Sequence, residues 1–254
     1  MRGLRAFLAK ELLEIVRTWR IWVLPGIVLF LALGGPPLAM LTPRLLESFA
    51  GSQPGVVIEF PDPTYRDAYA QWVKNLTQIV VFAIVIMFGG LVNGEVRAGT
   101  AALVLTKPLA RPAFVLAKFA AALALLVGTV ALGAALTWGL TLAVFGQAPV
   151  GELARATALW LALGTLLLAL MTLLSVLLRS QAAAAGVGLA VYFLLVILTV
   201  WEPAVRHTPA GLLAAPAQLA AGGAPPLAWP LATGALVSAA AVLAAMAAFR
   251  HQEL

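Results

Sequence analysis

Residues 119–145 read FAAALALLVGTVALGAALTWGLTLAVF, a run of 27 residues without a charged side chain. An α-helix rises 1.5 Å per residue, so about 20 apolar residues cross the roughly 30 Å hydrocarbon layer of a bilayer. This segment is therefore long enough to span a membrane as one helix. Its unbroken apolar character also argues against a transmembrane β-barrel, whose strands alternate apolar and polar residues.

The composition of the whole chain is typical of a membrane protein. Of its 254 residues, 63% are hydrophobic and 10% are charged, whereas soluble domains carry about 25% charged residues. The absence of cysteine excludes disulfides, thiolate nucleophiles and cysteine-based metal sites, and two histidines are too few for a histidine zinc site. The net charge of +6 is explained by the excess of Lys and Arg that membrane proteins carry in their cytoplasmic loops, so no nucleic-acid partner is expected.

Six segments are predicted to be transmembrane helices, which makes the chain an all-α membrane protein with a single domain over residues 1–254. They cover residues 21–41, 76–92, 119–145, 156–178, 182–201 and 231–249. The first is too long for the apolar core of a signal peptide, so it is expected to remain as an anchor. Its Gly-Gly-Pro-Pro sequence at 34–37 is expected to break or kink the helix.

The basic residues predict the orientation. Eleven of the 16 Lys and Arg residues fall on the side of the two termini and five fall on the other side. Because cytoplasmic loops carry an excess of Lys and Arg, both termini are expected in the cytoplasm. No ionisable residue lies at the centre of a predicted span, which disfavours a proton- or sodium-coupled carrier.

Residues 1–20 are expected to form an amphipathic helix at the membrane surface. Its apolar face consists of Leu4, Leu8, Leu12, Ile15 and Trp19. The opposite face carries Arg2, Lys10, Glu14, Arg17 and Arg20. Such a helix lies among lipid headgroups, so membrane lipid is an expected partner. The alternative is a basic leader that only orients the first span.

The connection between the second and third spans, residues 93–118, reads NGEVRAGTAALVLTKPLARPAFVLAK. Its Asn-Gly pair favours a turn, residues 95–105 favour a short helix, and Lys107–Pro108 would end that helix. Glu95 lies in the first turn, where the helix dipole favours a carboxylate. A short helix between two spans could transmit force from a partner; the alternative is an ordinary solvated loop.

Two longer loops are expected on the opposite side. In residues 42–74, Asp62–Pro63 resembles an N-cap followed by a first-turn proline, and a helix is expected to lie at the outer interface with aromatic residues in the headgroups. The aromatic residues are Tyr65, Tyr69 and Trp72. Substrate contact is the alternative for this helix. Residues 202–230 contain six prolines and are expected to be extended or to form short helices as an exposed lid.

Catalytic chemistry is not predicted for this chain. The phosphate-binding sequence G-x-x-x-x-G-K-[ST] does not occur, and neither histidine lies in a predicted span. We therefore expect no catalytic, cofactor-binding or metal site. Small residues recur at packing distance in the fifth span at Ala182, Gly186 and Ala190, which favours close helix contact within the chain or with a second copy.

Three stretches together resemble the permease subunits of ABC-2 type transporters. They are KELLEIVRTWR at 10–20, GEVRAGTAALVLTKPLARPAFVLAK at 94–118 and the short charged tail at 249–254. The resemblance covers essentially the whole chain. It implies a transmembrane half that pairs with a second permease, a paralogue or more simply an identical copy in a homodimer, and with cytosolic ABC ATPase subunits that bind ATP and Mg²⁺.

The resemblance also implies roles for particular residues. The coupling helix that docks into the ATPase would be carried by Glu95, Arg97, Gly99 and Thr100, flanked by Lys107 and Arg111. The interfacial helix would contribute Lys10, Glu11, Glu14 and Arg17. The second and fifth spans would line a path between protomers with Asn75, Thr77, Gln78, Met87, Tyr192 and Thr199.

The function expected from this resemblance is that of a permease subunit in an ATP-driven exporter of a bacterial or archaeal cytoplasmic membrane. The substrate would be amphipathic or lipid-like, because the implied lining is mostly apolar with a few hydrogen-bonding groups. An energy-independent membrane scaffold and a secondary carrier are the alternatives. Neither explains a Glu-x-Arg-x-Gly-Thr segment next to an amphipathic N-terminus.

Overall fold

The computed structural model describes residues 2–50, 62–106 and 110–252, and within these ranges the chain is helical and has no β-strand. The helices are α1 (Arg2–Arg17), α2 (Arg20–Ala50), α3 (Tyr65–Asn75), α4 (Val81–Phe88), α5 (Asn93–Arg97), α6 (Thr100–Leu105), α7 (Arg111–Phe145), α8 (Val150–Leu177), α9 (Gln181–Leu198), α10 (Glu202–His207), α11 (Gly211–Ala220) and α12 (Ala228–Arg250). A π-helical turn, Leu76–Val80, joins α3 to α4.

Six helical segments are long and apolar enough to cross a membrane, which confirms the all-α membrane fold. They are Arg20–Pro43, Tyr65–Arg97, Arg111–Phe145, Val150–Leu177, Gln181–Leu198 and Ala228–Arg250. The third begins eight residues before the predicted position 119. The outer loop 42–74 falls partly outside the described residues.

The second span begins at Tyr65 instead of residue 76, because α3, the π-helical turn and α4 follow one another without a break. The first part of this span, α3, is amphipathic, and its charged residues concealed it as part of a span in the sequence. Arg66 and Lys74 are exposed, whereas Ala68 and Val73 are buried. A stripe of apolar residues at helical spacing therefore carries α3 into the core although the segment contains charges.

Two expectations for α3 are wrong. The residue before the helix is Thr64, not Asp62, and its backbone N–H donates to the Asp67 carboxylate at 2.7 Å. Tyr69 and Trp72 do not lie in headgroups but are buried in the core. The Trp72 indole N–H donates to the Thr157 hydroxyl at 3.1 Å, so the polar atom of this side chain is satisfied inside the protein.

Residues 34–37 do not break the helix, because α2 is continuous from Arg20 to Ala50, and a kink at this position stays a prediction. The helix contains Pro25, Pro36, Pro37 and Pro43. A proline removes one backbone hydrogen bond of a helix, and proline is tolerated in membrane helices where neighbouring helices support the backbone. Here α2 packs along α7 and α3.

Of the six candidate spans, α8 has the most buried apolar stretch, and it contacts α3, α4, α7, α9, α11 and α12. In its most apolar stretch 67% of the residues are buried, compared with 17% in α9. The expected lid over residues 202–230 does form short helices, and α10 and residues 221–224 are largely exposed, but α11 is not. Leu212 and Ala220 of α11 are fully buried, and α11 packs on α8 and α3 because its apolar face completes the core.

The N-terminal and C-terminal helices meet at one end of the bundle, which we call the terminal end. Phe114 of α7 stacks on Phe7 of α1 and on Phe249 of α12, with ring centroids 5.2 Å apart in both pairs. The Arg111 guanidinium donates to the backbone carbonyl of Gln252 at 2.8 Å. The location of this end in the cytoplasm stays a prediction.

Candidate functional site

The connection at 93–118 lies at the terminal end and forms two short helices, not the single helix predicted over residues 95–105. The corner between α5 and α6 is Gly99, whose φ of +71° lies in the left-handed region. Glycine adopts this conformation without the steric cost that a Cβ imposes, so the chain turns there. The predicted end of the helix at Lys107–Pro108 lies outside the described residues.

The beginning of α5 is attached to α8. The first amide groups of a helix lack carbonyl partners within it. In α5 the Ser175 hydroxyl accepts hydrogen bonds from the backbone N–H groups of Val92, at 2.8 Å, and Asn93, at 3.2 Å. The Asn93 side chain donates to the Leu178 carbonyl at 3.0 Å. These bonds fix the point at which the connection leaves α4.

Behind α5 lies a cluster of five ionisable side chains, which we call the charge cluster: Lys10, Glu11, Glu14, Glu95 and Lys118. Lys118 is 0% exposed, and its ammonium donates to Glu95 and, at 2.9 Å, to Glu11. Lys10 pairs with Glu14 and, at 3.0 Å, with Glu11. The cluster thereby joins α1, α5 and α7.

The pairing in the charge cluster changes the acidity of its outer members. Burial alone would lower the pKa of Lys10, but hydrogen bonds to Glu14 and Glu11 raise the pKa above its ordinary value. Burial alone would raise the pKa of Glu14, but the hydrogen bond from Lys10 and the charges of Lys10 and Lys118 lower it. Both side chains are therefore charged at neutral pH.

The carboxylates of the cluster lie close enough together to hold a cation. Ligand oxygens of Glu11, Glu14 and Glu95 are within 4.8 Å of one another. The positive charges at this position are the ammonium groups of Lys10 and Lys118, which contact all three carboxylates. The expectation of no metal site stays a prediction.

The outward side of α5 and α6 is exposed, and we call it the docking face: Arg97, Gly99, Thr100 and Leu103. Leu103 is 70% exposed, and it was not among the predicted site residues. Among the predicted residues, Glu95 differs from this group because its side chain points inward to Lys118. Arg111 is turned toward the end of α12, and Lys107 lies outside the described residues.

A family model described as ABC-2 family transporter protein matches residues 5–218. The chain belongs to the ABC-2 transporter family. The match includes the charge cluster, the docking face and most of α11, and α12 lies beyond it. The ABC-2 chain is thus a permease-type transmembrane subunit and a multi-pass integral membrane protein. No curated protein matches it.

The N-terminal helix of this ABC-2 protein contacts the bundle through a face that overlaps the predicted apolar face only in part, because Leu4, Leu8 and Ile15 pack on the core. Phe7, Glu11 and Ile15, one turn apart, are buried, whereas Leu12 and Trp19 are exposed. The predicted residues Lys10, Glu11 and Glu14 belong to the charge cluster, and Arg17 is exposed at the end of α1. Contact of the exposed apolar side chains with lipid stays a prediction.

The residues implied for a path between protomers do not share one surface in the ABC-2 chain. Asn75, Met87 and Tyr192 are buried, whereas Gln78 is exposed. The Tyr192 hydroxyl donates to the Thr77 carbonyl at 2.9 Å, in the π-helical turn. This contact fastens α9 to the second span.

Sequence reasoning missed two residues of the site in this ABC-2 protein, Lys118 and Ser175. Lys118 is the last residue of the connection predicted over 93–118, but in the structure it lies two turns inside α7. A signal for its role existed in α1, where Glu11 lies between Phe7 and Ile15 at helical spacing. A carboxylate within an apolar stripe needs a buried partner of opposite charge. Ser175 gave no comparable signal.

Proposed function

We propose that this ABC-2 chain is the permease subunit of an ATP-driven ABC exporter, and that separate cytosolic subunits bind ATP and Mg²⁺ and hydrolyse the nucleotide. The observation that carries the proposal is the docking face. It exposes Arg97, Thr100 and Leu103 on one side, while hydrogen bonds and ion pairs hold α5 from behind to α1, α7 and α8. Movement of an ATPase bound to this face can reach the spans only if the face is held to them in this way.

The proposed substrate is an amphipathic or lipid-like molecule. Neither α4 nor α9 contains a charged residue. The exposed side chains of this pair include Phe193 and Ile197 together with Ile86. Such a surface offers apolar contact with few polar groups, which suits a molecule that is itself largely apolar.

A second permease, most simply another copy of this chain, is proposed as the membrane partner. The support is α9, the least buried of the six spans. It contacts only α4 and α8 extensively within the described part of the chain. Its exposed face combines small residues with large apolar ones such as Leu194, which permits close approach of another helix.

The first experiment is affinity purification of the chain from its native membranes in mild detergent, followed by identification of stoichiometric partners. We expect an ATPase with a phosphate-binding loop to co-purify with the parent chain. Replacing Arg97 or Leu103 with alanine should reduce its recovery, because both side chains lie on the docking face. Arg206→Ala is the matched control, since Arg206 is exposed but pairs with Glu202 on α10, outside the docking face.

Recovery of the chain without an ATPase would contradict the proposal. An ion-gradient-driven activity of the purified chain alone would then support a secondary carrier, and co-purification with an unrelated membrane complex would support a scaffold. Equal loss of the ATPase from Arg97→Ala and Arg206→Ala would show that the docking face has no specific role.

A further inference from the structure

We propose that Lys118 is a positioning residue that makes α1, α5 and the beginning of α7 move as one unit. The proposal rests on the proposed function only for its consequence, which is that movement of an ATPase at the docking face enters the membrane through α7. The joining of the three helices is a property of the chain alone and can be tested without a partner.

The first step of the argument is the burial of all three groups. Lys118 is 0% exposed, and the side chains of Glu11 and Glu95 are 3% and 16% exposed. A charge removed from water is stable only while its partner of opposite charge remains in contact. The ammonium of Lys118 is therefore compensated inside the protein by its contacts with Glu11 and Glu95, and the partly exposed Lys10 adds an outer ion pair to each of these carboxylates.

The second step concerns the helices that supply the two carboxylates bound to Lys118. Glu11 precedes Lys118 by 107 residues and Glu95 precedes it by 23 residues, so the two carboxylates come from separate helices. At the charge cluster, α1 and α5 are joined to α7 by side chains and not by a short loop of the backbone. The ammonium of Lys118 is thus the buried group that connects the side of α5 opposite the docking face to both α1 and α7, and the partly exposed Lys10 of α1 adds a longer ion pair to Glu95 at 3.7 Å.

The third step concerns the reach of α7. It is 35 residues long, and it packs against α1, α2, α3, α8 and α12. Lys118 lies near its beginning, and Gly133, four turns further on, lies against Trp72 of α3 and Val28 of α2. A displacement applied at Lys118 is therefore delivered to two other spans through packed side chains. The hydrogen bonds from Val92 and Asn93 to Ser175 hold only the N-terminal end of α5, and they connect it to α8 instead of α7.

The test uses the chain alone in lipid nanodiscs. Because the chain contains no cysteine, Ala9→Cys on α1 and Ala98→Cys after α5 provide two unique sites for spin labels, and both positions are exposed. Electron double resonance then reports the distribution of distances between them. We expect the parent pair to give one narrow distance peak.

Removing the cation alone would leave two buried carboxylates and could unfold the protein, so two variants are needed. Lys118→Met tests the cation. The triple variant Lys118→Met, Glu11→Gln and Glu95→Gln removes all three charges together, which proteins tolerate far better than loss of one partner. Lys74→Met is the matched control, because Lys74 is an exposed lysine on α3.

We expect the folded triple variant to lose the narrow peak and to give a broad distribution, while Lys74→Met keeps the parent distribution. With the ATPase present, the triple variant should still bind it but should lose substrate-linked stimulation of ATP hydrolysis. A narrow parent-like peak in the triple variant would overturn the proposal. Absence of ATPase binding by the parent would instead refute the proposed function and leave the distance result standing.

Discussion

One hydroxyl group supports two backbone amides at the beginning of α5. Ser175→Ala removes the acceptor for Val92 and Asn93, and the two buried N–H groups then lack partners. We expect a loss of about 1–3 kcal/mol in the free energy of unfolding, measured by thermal unfolding in detergent.

Ser238→Ala is the control for this prediction, because the Ser238 hydroxyl donates only to the Gly234 carbonyl of its own helix at 2.7 Å. It makes the same chemical change without removing an acceptor from another segment. A similar loss of stability in both variants would show that the Ser175 hydroxyl has no special role in holding α5.

Gly133 leaves space for side chains from two other helices. A Cβ at this position would lie 2.6 Å from Trp72 Cη2 and 2.7 Å from Val28 Cγ1. Gly133→Ala should therefore destabilise the bundle by about 1–3 kcal/mol. Gly128→Ala on the same helix meets nothing within 4 Å and should be neutral or stabilising by up to about 1 kcal/mol. Equal melting temperatures of the two variants would contradict this account of the packing.

Single residues of the site were predictable from the sequence only where the signal is local. The exposed positions Arg97, Gly99 and Thr100 lie in a short segment between two apolar runs, and this segment could be recognised. Lys118 depends on a partner 107 residues away, and no periodicity within α7 reveals such a partner. The inward orientation of Glu95 could not be predicted for the same reason.

At the scale of an element, the docking of α1 has a defined dependence on pH. The lowered pKa of Glu14 stabilises the docked helix above its ordinary value of 4.5, and this contribution is lost as the pH falls through the lowered pKa. The raised pKa of Lys10 contributes fully below its ordinary value of 10.5 and is lost as the pH rises through the raised pKa. The pair is therefore intact between about pH 5 and pH 10.

We expect the mobility of a spin label at Ala9 to be constant from pH 5 to pH 8 and to increase in acid. The variant Glu14→Gln should lose the part of the acid-induced increase in label mobility that comes from protonation of Glu14. The effect is small, below about 1 kcal/mol, because both side chains are partly exposed to solvent. A transition near neutral pH in the parent chain would contradict the assignment of the charged states.

The helices could be predicted to different degrees. Apolar runs in α8, α9 and α12 are uninterrupted, so composition alone located these spans. In α3 the charges of Arg66 and Lys74 concealed a buried stripe, and residues 34–37 suggested a break, whereas α2 is continuous and packs against α3 and α7. The burial of α3 and the packing of α2 are set by contacts between helices, and a local sequence pattern does not report such contacts.

At the scale of the whole molecule, the exposed face of α9 predicts where a second copy binds. A single cysteine introduced as Leu194→Cys should give a cross-linked dimer in membranes with a short bifunctional thiol reagent. Leu243→Cys on α12 is the control, because Leu243 is also exposed on a span. Equal cross-linking at both positions, or cross-linking only through α12, would contradict a dimer formed through α9.

The stack of Phe7, Phe114 and Phe249 has a consequence for the biogenesis of the protein. Its last ring, Phe249, is synthesised 242 residues after its first ring, Phe7. At the usual rate of 5–20 residues per second, the ribosome needs roughly 10–50 s to make that length of chain. Phe114 can stack on Phe7 once α7 has been made, whereas the other face of its ring stays uncovered until the final helix has left the ribosome and entered the bilayer.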